Sequence, residues 1–244
     1  MKNCLLLVLL SSLSFAAVAQ EEDADFRPAA AVKWNAASLS FGKLSLGGEY
    51  NYQHGKSFTF NIGVPVGKTL KATVNNETRS LKLKTTSVMG GYRLYMGKKP
   101  MSGFYFEPYV KYLKTSLTTN TTFTINGTDR NFDVTGSVGN IGLGAQLGVQ
   151  FLISDVVVID WFLIGPEANS SSFRFTAQET GNGPAWDTGA AGDAQQQIQD
   201  FIDAIPIINK KAGLEVNSNA RYVKARYNGF LPGIRTGVSI GIRF

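Results

Sequence analysis

A set of ionisable residues, Lys33, Glu49, Arg93, Glu107, Lys111, Asp160, Arg235 and Arg243, falls inside segments where apolar and polar residues alternate. If separate strands bring such charges onto one face, they can neutralise one another as buried ion pairs or line a path for ions. Nucleophilic and metal chemistry find less material. The single histidine, His54, precedes Gly55 as in a turn, and no nucleophile–base–orienter set can be assembled around it. The single cysteine, Cys4, lies within the first 19 residues, just before an apolar run. There is no histidine pair, and the acidic residues lack a calcium-loop spacing. We therefore expect no catalytic residue, no cofactor and no bound metal. Gly139, Gly142, Gly144 and Gly148 superficially suggest a nucleotide loop, but they sit within an alternating strand pattern. Inward glycines that relieve crowding in a narrow barrel explain them better.

The elements that must position these charges are strands. From Ile234 to Phe244 the chain reads IRTGVSIGIRF, with Ile234, Thr236, Val238, Ile240, Ile242 and Phe244 on one face. Arg235, Gly237, Ser239, Gly241 and Arg243 form the other. Such period-two alternation marks an amphipathic strand. Seven further segments are strand-like. The first, about Val32 to Phe41, changes phase, and a bulge near Ala37 is expected to account for it. The others centre on Leu44–Tyr52, Ser57–Val66, Ser87–Met96, Phe104–Tyr112, Ile141–Gln150 and Val157–Leu163. Phe58, Phe104, Phe106 and Trp161 lie on the apolar face; Gly, Ser, Arg and Gln lie on the other. A soluble barrel would hold its apolar face inward, whereas a membrane barrel holds it outward. The expected fold is all-β, an eight-stranded antiparallel transmembrane β-barrel.

Connections agree. His54-Gly55-Lys56, Gly97–Gly103 and Ser154-Asp155 are short, while Gly67–Lys84, Ser116–Gly136 and Gly165–Pro232 are long. Short turns at one end and long loops at the other are the habit of such barrels. Lys2, the apolar run Leu5–Leu10 and Ala17-Val18-Ala19 before Gln20 read as a secretory signal peptide over residues 1–19. Residues 20–31 would be a periplasmic segment and 32–244 the barrel. No stretch reaches the ~18 apolar residues of a membrane helix. The mean hydropathy of −0.04 suits a barrel whose alternate residues face inward. A net charge of +6 invites a nucleic-acid reading, which export argues against.

On these residues the chain resembles the small outer-membrane barrels grouped with OmpA, OmpX and OmpW. It is most similar to uncharacterised barrels of Bacteroidetes-type bacteria. The resemblance is carried by Val32-Lys33-Trp34-Asn35, by Tyr50 before a short turn, and by Pro232-Gly233-Ile234-Arg235 through Phe244. It implies an outer-membrane location, with Phe244 as the terminus read by the barrel-assembly machinery. It implies no activity.

Two loops carry further expectations. In Gly165–Pro232, Ile198, Phe201, Ile202 and Ile205 recur at helical spacing before Pro206. Leu214–Val216 and Arg221–Ala225 are spaced to pair as a hairpin across Asn217-Ser218-Asn219. This predicts a helix-plus-hairpin cap, read first as a loop packed on the barrel rim and second as a lid or partner-binding element. If Phe173–Gln178 and Arg221–Tyr227 crossed the membrane instead, there would be ten strands. Lys68, Lys71, Arg79, Lys82 and Lys84, with Glu77 as the single acid, form a basic outside loop suited to lipid and lipopolysaccharide phosphates. Glu49 and Glu107 are the expected partners of Arg93 and Lys111. The leading functional expectation is a non-enzymatic barrel with a filled polar lumen, structural or surface-interacting, with an extracellular partner of unknown kind. A narrow gated channel comes second and a lipid-modifying enzyme third.

Overall fold

The computed structural model describes residues 26–74, 77–97, 99–203 and 213–244, leaving aside the side chains at 70–74, 77–79 and 201–203. Among the described residues alternating segments become ten antiparallel strands: β1 Ala29–Asn35, β2 Lys43–Gln53, β3 Lys56–Pro65, β4 Lys68–Val74, β5 Glu77–Tyr95, β6 Gly103–Ile125, β7 Thr128–Ile153, β8 Val157–Glu179, β9 Gly213–Asn217 and β10 Tyr222–Arg243. Among the described residues one α-helix, α1, spans Thr188–Asp203. The hydrogen-bonded order β1-β2-β3-β5-β6-β7-β8-β10 closes on itself where β1 pairs β10, with Val32 opposite Ile242. Eight strands thus form a barrel. β4 and β9 stand outside the ring, as hairpin partners of β5 and β10.

Alternation sets the two faces of the wall. Phe58, Phe60, Phe104, Val110, Ile141, Leu143 and Ile240 are exposed outward, while Lys33, Glu49, Arg93, Glu107, Gln146 and Asp160 are buried within. An apolar exterior this extensive around a polar interior is the surface of a barrel that stands in lipid. Near the short-turn end Tyr52, Phe58 and Tyr92 gather on the outer face. The Tyr52 and Phe58 rings stack at 5.0 Å, and the Tyr52 and Tyr92 hydroxyls meet at 2.8 Å. Aromatic girdles of this kind mark a membrane interface. Among the described residues no helix is long and apolar enough to cross a membrane.

The strands outrun the bilayer. β6, β7, β8 and β10 have 23, 26, 23 and 22 residues, well beyond the ~9–11 a membrane strand needs. Much of what the sequence suggests is loop, Ser116–Gly136 above all, is therefore strand, turning at Asn126-Gly127. Gly67–Lys84 likewise holds the β4–β5 hairpin. Phe173–Gln178 and the residues from Tyr222 onward continue β8 and β10 and pair with each other, so the ring keeps eight strands and not ten. In this extension the apolar face inverts. Phe132, Val134, Phe173, Phe175 and Val223 point inward and are buried, whereas Asp133, Arg174 and Arg226 face out. Water, not lipid, surrounds this part of the wall.

The cap follows from that inversion. α1 lays Ala190, Ala194 and Ile198 on the inner face of the extension, beside Trp186. Asp187 caps the helix, its carboxylate accepting from the Ala190 amide at 2.7 Å. Asp193 accepts from the Asn126 amide at 3.0 Å, which fixes α1 to the β6–β7 tip. The expected hairpin forms with Val216 opposite Val223 and Leu214 opposite Ala225. The helical stripe thus packs on an extended sheet above the rim. Ile205 and Pro206 lie outside the described residues, as do the side chains of Phe201 and Ile202. At the start of the chain β1 ends at Asn35 and a 3-10 turn, Ala36–Phe41, follows. The phase change near Ala37 is that turn and not a bulge. Asn35 caps it, accepting from the Ser38 amide at 3.2 Å.

Candidate functional site

Strand alternation carries charges from five different strands to one level of the lumen. Arg93 on β5 is the hub. Its Nε donates to Glu107 at 2.8 Å and its Nη2 reaches the same carboxylate at 2.6 Å. Nη1 lies 2.9 Å from Asp160 and 3.3 Å from Glu49, and donates to Gln150 at 2.7 Å. Lys33 on β1 pairs with Glu49, with Asp160 at 2.9 Å, and donates to Gln150 at 2.5 Å. Two tyrosines close the layer: Tyr95 donates to Glu49 at 2.6 Å and Tyr105 to Asp160 at 2.7 Å. The Arg93 guanidinium also sits 3.7 Å from the Tyr105 ring centroid, a cation–π contact. Two cations thus face three carboxylates, and all five groups are almost wholly buried. Such a layer is stable only because every charge is partnered.

Glycines make room for it. Tyr105 lies opposite Gly148 and Tyr109 opposite Gly144 across the β6–β7 pair. A Cβ at Gly144 would stand 2.5 Å from the Tyr109 ring, and one at Gly148 would collide with Tyr105. Gly142 is crowded in the same way by Asn169, whereas Gly139 faces open space. Gly142, Gly144 and Gly148 therefore relieve crowding, as expected, whereas Gly139, of the opposite parity, does not.

Toward the capped end the charges change partners. Lys111 pairs with Glu167 and not with Glu107, and Tyr109 donates to Glu167 at 2.9 Å. The sequence reading missed Glu167 because it lies in the expected loop Gly165–Pro232, whereas β8 runs on to Glu179; β8 also slips by one residue, Gly148 pairing with Phe162 but Leu147 with Ile164. That slip puts Gly165, Glu167 and Asn169 on the lumen side with Asp160. The consecutive apolar residues Leu163 and Ile164 were the signal available. Arg235 rests on aromatic rings: its guanidinium lies 4.5 Å from the Phe162 ring centroid and 5.6 Å from that of Tyr109. Arg243, at the opposite end, is 3.9 Å from the exposed Asp155.

Cavities divide the same way. A void of about 40 Å³ lies between Arg93, Glu107, Asp160 and Arg235. Above it a partly enclosed cavity of about 440 Å³ is bounded by Lys43, Ser87, Lys111, Phe162 and Arg235. The lumen is thus a filled layer near the short turns and a vestibule toward the cap. His54 stands in the β2–β3 turn, its ring 4.9 Å from that of Phe26, at the short-turn end of the barrel and not at the vestibule end. Of the basic loop, Lys68 is half-buried and Lys82 and Lys84 are exposed; the side chains of Lys71 and Arg79 lie outside the described residues.

No family model matches the chain, and no curated protein does. Among solved structures it is similar to CarO of Acinetobacter baumannii, at 11% identity and a TM-score of 0.40, over 88% of this chain and 96% of that one. The fold assignment rests on this chain's own strand pairing and closure.

Proposed function

We propose that this chain is a non-enzymatic barrel of a bacterial outer membrane whose lumen is sealed at one level by ion pairs, and which acts through its outer half and cap as a surface-interaction protein. The observation that carries this reading is the buried layer in which Arg93 and Lys33 bind Glu49, Glu107 and Asp160 together. Charged groups held this way occupy the cross-section that a conduit would need. The apolar outer belt, the closing strand to Phe244 and the N-terminal leader pattern support export to that membrane and handling by the barrel-assembly machinery. The resemblance to Bacteroidetes-type barrels supports the same reading. The basic residues Lys68, Lys82 and Lys84, with Lys71 and Arg79, would meet lipopolysaccharide phosphates.

Liposome swelling tests it. Vesicles carrying the folded protein should swell in small sugars no faster than empty vesicles, and rapid swelling would contradict the reading. A second reading, a narrow gated channel, draws its support from the vestibule of about 440 Å³, which shares Met89, Phe162 and Arg235 with the small void beside the sealed layer. A lipid-modifying role is the least supported, because the single histidine, His54, lies in the β2–β3 turn, at the end of the barrel away from the vestibule. Lipid A acyl composition should be the same with and without the protein.

A further inference from the structure

The vestibule is lopsided in charge. Lys43, Lys111 and Arg235 border it, and Glu167 is the single carboxylate on its wall. Glu167 is already engaged by Lys111 and Tyr109, with Asn169 donating at 3.5 Å. Lys43 has a neutral partner, its ammonium donating to the Ser87 hydroxyl at 3.0 Å. Arg235 leans on the Phe162 ring. Two cations therefore face a half-enclosed space with no carboxylate of their own among the described residues. A charge held away from bulk water without a counter-charge is costly, and a bound anion would remove that cost.

The rest of the wall defines the other half of a ligand. Leu83, Leu113, Met89 and Phe162 offer apolar surface, and Thr85 and Thr115, whose hydroxyls lie 3.1 Å apart, offer hydrogen bonding. A volume of about 440 Å³ lies in the range of small-molecule sites. We infer that the vestibule is a binding site for a small organic anion, a carboxylate with an aromatic or aliphatic body. Its carboxylate lies between Lys43 and Arg235 and its apolar part against Phe162 and the leucines. The site does not depend on whether the sealed layer conducts.

Binding of dansylglycine, a fluorescent aryl carboxylate, to the folded full chain in a non-ionic detergent tests this, with uncharged dansylamide as comparator. Saturable binding of dansylglycine at least about tenfold tighter than that of dansylamide is expected. Lys43→Gln and Arg235→Gln should each remove most of that preference, while Arg226→Gln, on the outer face of the extension, should leave it intact. Folding of every variant is read from its heat-modifiable gel mobility. Equal binding of the two probes to the wild-type chain overturns the inference without any variant. So does an anion preference that survives in folded Lys43→Gln and Arg235→Gln. Swelling or conductance results bear on the sealed layer alone, so the two proposals fail separately.

Discussion

Arg93 and Asp160 stand 2.9 Å apart across the lumen, although β5 and β8 are separated in the ring by β6 and β7. No backbone hydrogen bond joins these strands, so the pair is a strut across the barrel rather than a contact along its wall. Removing one member strands the others: Arg93→Ala leaves Glu49 and Asp160 to Lys33, and leaves Glu107 with only the neutral donors Thr59 and Gln146. Loss of a partner from a buried ion pair typically costs ~3–5 kcal/mol. Urea unfolding in detergent or lipid should show Arg93→Ala destabilised by about that amount. Lys99→Ala, an exposed turn residue, should unfold with the wild type.

Glycine position on β7 should matter more than glycine number. At Gly144 an added side chain meets the Tyr109 ring, whereas at Gly139 it meets nothing. Gly144→Val should therefore lose roughly 1–3 kcal/mol of stability or fail to fold, as overpacked sites do. Gly139→Val should fold normally. The relative yield of the heat-modifiable form checks both, and equal yields would count against the packing described.

Topology can be read with a membrane-impermeant maleimide. The only native cysteine is Cys4, within the leader pattern. Gly192→Cys, on the exposed side of α1 with nothing within 4 Å of its Cβ, should label on intact cells. Lys99→Cys, in the short turn at the other end, should label only after the outer membrane is opened. Labelling with the reverse preference would invert the barrel.

Lipid contact is a separate matter. Neutralising Lys68, Lys71, Arg79, Lys82 and Lys84 together should lower the lipopolysaccharide that copurifies with the protein, with no change in urea midpoint. Exposed charges such as Lys82 and Lys84 contribute little to folding. Unchanged copurification would remove these residues from the lipid contact.

Much of the barrel was legible because period-two alternation holds over most of each membrane strand, the slips in β8 and β10 apart. The eight segments identified from Val32, Leu44, Ser57, Ser87, Phe104, Ile141, Val157 and Ile234 are the eight strands of the ring. Lys33, Glu49, Arg93, Glu107 and Asp160 converge because inward parity holds through the lower half. Parity alone does not say which inward charges meet, so the partner of Lys111 was misassigned to Glu107. Glu167 was hidden because it fell in the segment read as loop, beyond a slip at Leu163 that moves the lumen row by one position. The extension was read as loop for a different reason. Residues such as Thr118, Asn120 and Thr122 carry little hydrophobic contrast, and it is pairing with β7 that makes them strand.

The most direct test of the sealed lumen is single-channel conductance of the folded full chain in a planar bilayer, with insertion verified. The account predicts a silent membrane, because the Arg93, Lys33, Glu49, Glu107 and Asp160 layer fills the section. Steady openings of the wild-type protein, altered in size by Arg93→Ala, would contradict it and make that layer the lining of a pathway.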